Sequence, residues 1–223
     1  MILVKSILRV NFDEATRPWM ELRELMRTAA SDPKIEMQAA PIVLERKDER
    51  VRIVLQIRGV ALEHETAGPL SKAITDAQSI MARLNEASAF PEVRSVRYDV
   101  IFIEPFSLPF HELVEYMKGK FLKPTRIANV SSDIGLIFDQ RDNDLLKHVT
   151  LGPMDRTQLM SQYLKWTKED EIPDAFVFLN LGYESTEKAP FSEEALAAFL
   201  NEAAEWQESE ANSLVGELKE GGD

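Results

Sequence analysis

The stretch Val96–Phe106, V-R-Y-D-V-I-F-I-E-P-F, constrains this chain more than any other. Val96, Tyr98, Val100 and Phe102 alternate with Arg97, Asp99, Ile101 and Ile103, so the segment is amphipathic at its start and apolar on both sides at its end. A strand with two apolar sides needs cover on both, which places it inside a sheet.

The segments around it read as two passes of one pattern. Pro109-Phe110-His111-Glu112-Leu113 opens a helix after the central strand, and Pro18-Trp19-Met20-Glu21-Leu22 opens one near the start of the chain. Proline in a first turn followed by acids is a helix-start signal. Gly68-Pro69 and Gly152-Pro153 form a second pair, each expected to open a helix, and Phe90-Pro91 and Ile172-Pro173 a third, each leading into an apolar strand. The three pairs recur in the same order, which points to an internal duplication.

Each pass has the order strand, helix, strand, strand, helix, strand. In the first, Val4–Phe12 is a strand and the helix from Pro18 to about Ala30 follows. Glu36–Arg46 and Arg50–Val60 then form a hairpin at Lys47–Glu49, and a helix runs from Gly68 to about Ala87. In the second, the Pro109 helix precedes strands near Arg126–Phe138 and up to Leu151, a helix from Pro153 to about Trp166, and the apolar strand Ala175–Tyr183. That order is the split βαβ of a ferredoxin-like plait. The expected fold is therefore α+β, with tandem ferredoxin-like βαββαβ units over 1–105 and 96–185 sharing or abutting a central sheet, and an acidic amphipathic helix over 189–223.

The net charge of −12 is concentrated at the end of the chain: from Ala189 onward nine acids face one lysine. An acidic chain is a poor general nucleic-acid binder, for which a basic footprint is expected. The absence of cysteine among 223 residues removes disulfides, thiolate metal sites and cysteine nucleophiles. No run has the length of a membrane span and the start lacks a signal-peptide layout, so the cytoplasm is the expected compartment.

Chemical motifs are sparse. His64, His111 and His148 stand in no zinc-ligand spacing. Asp139, Asp142 and Asp144 lack the glycine and terminal glutamate of an EF-hand. Ser131-Ser132-Asp133 has no glycine-framed elbow, and no glycine-rich phosphate loop occurs. Lys118, Lys120, Lys123 and Arg126 around Phe121 suit a helix C-terminus better than a phosphate track. These readings leave the chain without an expected cofactor, metal or catalytic residue.

Two surfaces are candidate binding sites. By strand parity, Arg9, Arg52, Gln56, Arg58 and Arg97, with Lys5 and Asp99, share the sheet face opposite the helices, a basic strip in an acidic protein. The last helix carries an apolar stripe through Trp206, Leu214 and Leu218, which suits either core packing or docking in a partner's groove. The expected function is that of a non-catalytic accessory or adaptor protein working through protein contacts or self-association, with an immunity- or antitoxin-like role as one form of it. The alternatives are an enzyme with a cleft between the two units, using His111, Tyr98 or an acid, and an RNA-binding subunit.

Overall fold

The computed structural model describes residues 1–17, 20–21, 41–122 and 133–220. The expected Pro18 helix, the first part of the Glu36–Arg46 strand and the start of the Arg126–Phe138 strand lie outside the described residues. So do Lys123, Arg126, Ser131 and Ser132.

Eight strands form one antiparallel sheet: β1 (Ile2–Phe12), β2 (Ile42–Arg46), β3 (Val51–Gln56), β4 (Gly59–Glu65), β5 (Val93–Pro105), β6 (Leu136–Asp142), β7 (Leu145–Asp155) and β8 (Ala175–Ser185). Their spatial order is β2-β3-β4-β1-β5-β8-β7-β6. Four helices accompany them among the described residues: α1 (Leu70–Ser88), α2 (Phe110–Phe121), α3 (Arg156–Gln162) and α4 (Glu193–Lys219). As its two apolar sides demand, β5 lies inside the sheet, between β1 and β8.

Side-chain parity sorts the residues onto two faces. Leu8, Val10, Leu62, Tyr98, Val100, Leu179 and Leu181 point to the helix face, where Met81 of α1, Leu113 and Met117 of α2, and Leu200 and Ala203 of α4 complete the main core. Lysine 5 and arginines 9, 52 and 97 belong to the opposite face. One end of that face is covered by a second core, in which Leu159 of α3, Leu164 and Ile172 pack on Val4, Ile101, Ile103, Phe176 and Phe178. An irregularity between Leu3 and Lys5 in the pairing of β1 with β5 turns Val4 to that side, where strict alternation places it with Leu8.

The connection from α3 to β8 is strapped across the sheet to β3 and β4. Glu65, only 3 % exposed, accepts hydrogen bonds from the backbone N–H groups of Lys165, Trp166 and Thr167 at 2.6, 3.0 and 3.0 Å and from the Thr167 hydroxyl at 2.9 Å. Arg50 forks onto both carboxylate oxygens of Glu171 at 2.7 Å. Lys5 Nζ donates to the Tyr163 carbonyl at 2.9 Å. On the helix face, Gln207 of α4 is fully buried, and its amide donates to the carbonyls of Tyr98 and Leu181 at 2.8 and 2.9 Å. This hydrogen-bonded amide locks α4 over the two central strands.

Three local expectations change. The Arg50–Val60 segment is two strands, because the chain reverses at Ile57-Arg58 and Gln56 pairs with Gly59. Gly152-Pro153 opens no helix but lies within β7, opposite Phe178 and Val177 of β8. Proline is tolerated there because the pairing of β6 with β7 ends at Leu136–Leu151, so no ladder partner among the described residues needs the missing N–H. Helix α3 consequently starts only at Arg156, capped by Asp155, whose side chain accepts from the Gln158 N–H at 2.8 Å.

The ferredoxin-like duplication is not established by this topology. The strand that opens the first half, β1, lies between β4 and β5, whereas the strand that opens the second, β5, lies beside β8 and does not meet β7.

Candidate functional site

The part of the second sheet face that no other described element covers brings together Arg9, Arg52, Gln56 and Arg97, as strand parity predicts, but each arginine there has an acidic neighbour. Asp99, 4 % exposed, receives Arg9 from one side, and from the other the Arg97 Nη2 at 2.8 Å. Arg97 also reaches Glu184 of β8 at 3.5 Å. Arg52 lies 3.3 Å from Glu63 and 3.7 Å from Glu45, and Lys5 is 2.8 Å from Glu63. The strip is thus a ladder of ion pairs. Glu63 escaped the sequence reading because β4 did, and Glu184 because the register of β8 against β5 is a tertiary fact.

Gly182 of β8 is the floor of this ladder. A Cβ there would stand 2.6 Å from Asp99 Oδ1 and 2.9 Å from Arg97 Nη2, so the absence of a side chain is what lets the pair lie flat on the sheet. The Asp99 hydrogen bonds hold the Arg97 guanidinium above its ordinary value against the opposing effect of burial.

At the end of the ladder, where β3 turns into β4 and β5 begins, the surface opens into a recess of about 1010 Å³. Gln56, Arg58, Arg94, Ser95, Glu184 and Lys188 line it, with Pro41 at the rim. Arg58 and Arg94 are exposed and form no ion pair among the described residues, while Lys188 reaches Asp13 at 2.8 Å. Among the described residues its lining carries three cations and one carboxylate beside amide and hydroxyl groups, a positive balance within an acidic chain and the chemistry that suits anionic groups.

The remaining candidates fall elsewhere. Tyr98 is fully buried on the helix face, away from the surface, and that burial pushes its hydroxyl up to about 12. His111 is exposed at the start of α2 with Glu112 at 3.8 Å. Asp139 and Asp142 project to opposite faces of β6, so the acids of that turn do not converge.

His148 does sit in a carboxylate–imidazole–hydroxyl series, with Asp139 at 2.6 Å from Nδ1 and Thr150 at 2.9 Å from Nε2. That order matches a nucleophile, its base and the base's orienter. Thr150, however, is paired on both sides, with Ile137 and Asn180, which commits the neighbouring backbone N–H groups to ladders rather than to an oxyanion.

Helix α4 uses its apolar stripe within the fold. Leu218 is fully buried, and its carbonyl accepts bonds from the Tyr116 hydroxyl and from Lys120 Nζ, the latter at 2.9 Å. Trp206 and Leu214 are half-buried against the same core.

No family model, curated protein or solved structure matches this chain.

Proposed function

We propose that this protein is a non-catalytic accessory or adaptor protein that holds an acidic segment of a partner protein in the recess at Arg58, Arg94 and Lys188. The observation that carries the reading is the pairing state of the arginines. Those of the ladder are matched by carboxylates, whereas Arg58 and Arg94 at its end are exposed and unmatched among the described residues.

Guanidinium forks recognise carboxylates by two parallel hydrogen bonds, and Gln56 and Ser95 add neutral groups beside them. The matched ladder then acts as a neutral shelf along which the rest of the segment lies, and Arg9, Arg52 and Arg97 belong to that shelf. Tandem ferredoxin-like units remain part of the proposal, with β5 as the strand common to both.

Single-stranded RNA suits the surface less well. Base stacking needs aromatic faces, and the rings of Tyr98, Phe102 and Tyr183 project to the helix side of the sheet, while Phe176 and Phe178 lie in the second core.

The test is fluorescence anisotropy with a labelled glutamate- and aspartate-rich peptide and with labelled oligouridine. The expected result is saturable peptide binding that weakens with salt and falls at least about tenfold in the Arg58→Glu, Arg94→Glu double variant. Peptide binding unchanged by the double reversal, or oligouridine bound as tightly as the peptide, overturns the reading.

A further inference from the structure

A second recess, of about 350 Å³, opens on the helix face between the start of β5, the end of β8 and the first turns of α4. Its walls are hydrocarbon, including Val96, Leu145, Leu196 and Phe199. Among the described residues its charged lining is of one sign, Glu187 and Glu202, with no lysine or arginine. The Tyr183 hydroxyl donates to Glu202 Oε1 at 2.5 Å, which fixes the carboxylate at the mouth of the recess. Burial, and then the hydrogen bond to that carboxylate and its charge, hold the hydroxyl in its protonated, donating form.

The aromatic groups of this corner already hold a cation. Lys147 Nζ stands 5.8 Å from the Tyr183 ring centre and 5.5 Å from that of Trp206, in a smaller neighbouring hollow that shares Leu145, Tyr183 and Glu202. The Phe199 ring, 5.6 Å from Tyr183, belongs to the apolar recess itself. An apolar cavity of this size with a few polar groups in its lining is the usual form of a small-molecule site. Carboxylates and ring faces are what an ammonium group needs when it leaves water.

We propose that this recess binds a small amphipathic monoamine, its hydrocarbon body against Val96, Leu145, Leu196 and Phe199 and its ammonium group at Glu202 and Glu187. The site is separate from the Arg58 recess, which lies at the opposite sheet face, and the two are testable independently.

Isothermal titration calorimetry near neutral pH and physiological salt, with 2-phenylethylamine, 2-phenylethanol and 3-phenylpropanoate, tests the assignment. Saturable binding of the amine is expected, with the alcohol weaker by at least about tenfold and the carboxylate not bound. Glu202→Gln removes the charge at an exposed position and keeps an oxygen for Tyr183, so it leaves thermal unfolding unchanged and weakens the amine by about tenfold or more. Arg58→Glu leaves amine binding unaffected. Absence of saturable heat with the amine, equal affinity for the alcohol, or equal affinity in Glu202→Gln overturns the proposal.

Discussion

Glu65 is where the strap between α3 and β8 is most exposed to test. Its Oε1 takes the Lys165 N–H, and its Oε2 takes the N–H groups of Trp166 and Thr167 and the Thr167 hydroxyl. Glu65→Ala leaves three backbone donors without their acceptor in a site only 3 % exposed. Each orphaned buried donor costs about 1–3 kcal/mol, and water entering the vacated space relieves some of it, so the expected loss is about 3–5 kcal/mol. That is a large part of the roughly 5–15 kcal/mol that holds a folded domain. Glu65→Gln retains one oxygen for the Oε2 donors and sets an amide donor against Lys165 N–H, so its loss is smaller, about 1–3 kcal/mol. In urea the alanine variant should unfold with a midpoint lower by more than about 1 M, the glutamine variant in between, and limited trypsin digestion should cut both first at Lys165 or Lys168. Equal stability of the three proteins, or glutamine worse than alanine, refutes the reasoning.

Glycines divide into those the packing requires and those it does not. Gly152→Ala brings a Cβ to 2.8 Å from the Ile134 carbonyl oxygen and should cost about 1–3 kcal/mol, whereas Gly216→Ala, in α4 with no described residue within 4 Å of the added Cβ, should gain about 0.5–1 kcal/mol in chemical denaturation. Gly182→Ala should displace the Asp99–Arg97 pair and lower stability by about 1–3 kcal/mol, read from the same curves. Burial, with Lys72 nearby, holds His64 below its ordinary value of 6.5 despite Asp76. The folded state therefore binds fewer protons than the unfolded one, and this contribution to stability is present above 6.5 and lost as the pH falls through the lowered folded value. The stability difference between the wild type and His64→Gln should move against the wild type from mildly alkaline to mildly acidic pH; a constant difference contradicts the sign.

The central strand was legible because Ile101 and Ile103 make its second side apolar, and both turn out to face the second core. Helices α1, α2 and α4 and the strand β8 were legible from proline starts and apolar stripes. What escaped has physical causes. The two central residues of the turn, Ile57 and Arg58, are neither glycine nor asparagine and neither adopts a positive φ, so Gly59 after them was the one residue-type signal that β4 begins there. Gly152-Pro153 resembled Gly68-Pro69 in sequence, but one glycine yields to a crossing carbonyl inside a strand and the other precedes the Pro69 cap of α1. The basic strip was correct in parity, yet its neutralisation by Glu63 and Glu184 depended on strand order, which alternation does not encode. The recess at Arg58 and Arg94 joins residues from the β3–β4 turn and the start of β5, which only the folded sheet brings together.

The most direct test of the binding role is affinity capture from the source cells at moderate salt, with the wild type and the Arg58→Glu, Arg94→Glu variant side by side and the eluates analysed for protein and nucleic acid. The account predicts a stoichiometric protein with the wild type that is lost from the variant, without nucleic acid. A partner retained equally by both, or nucleic acid recovered with the wild type, contradicts it.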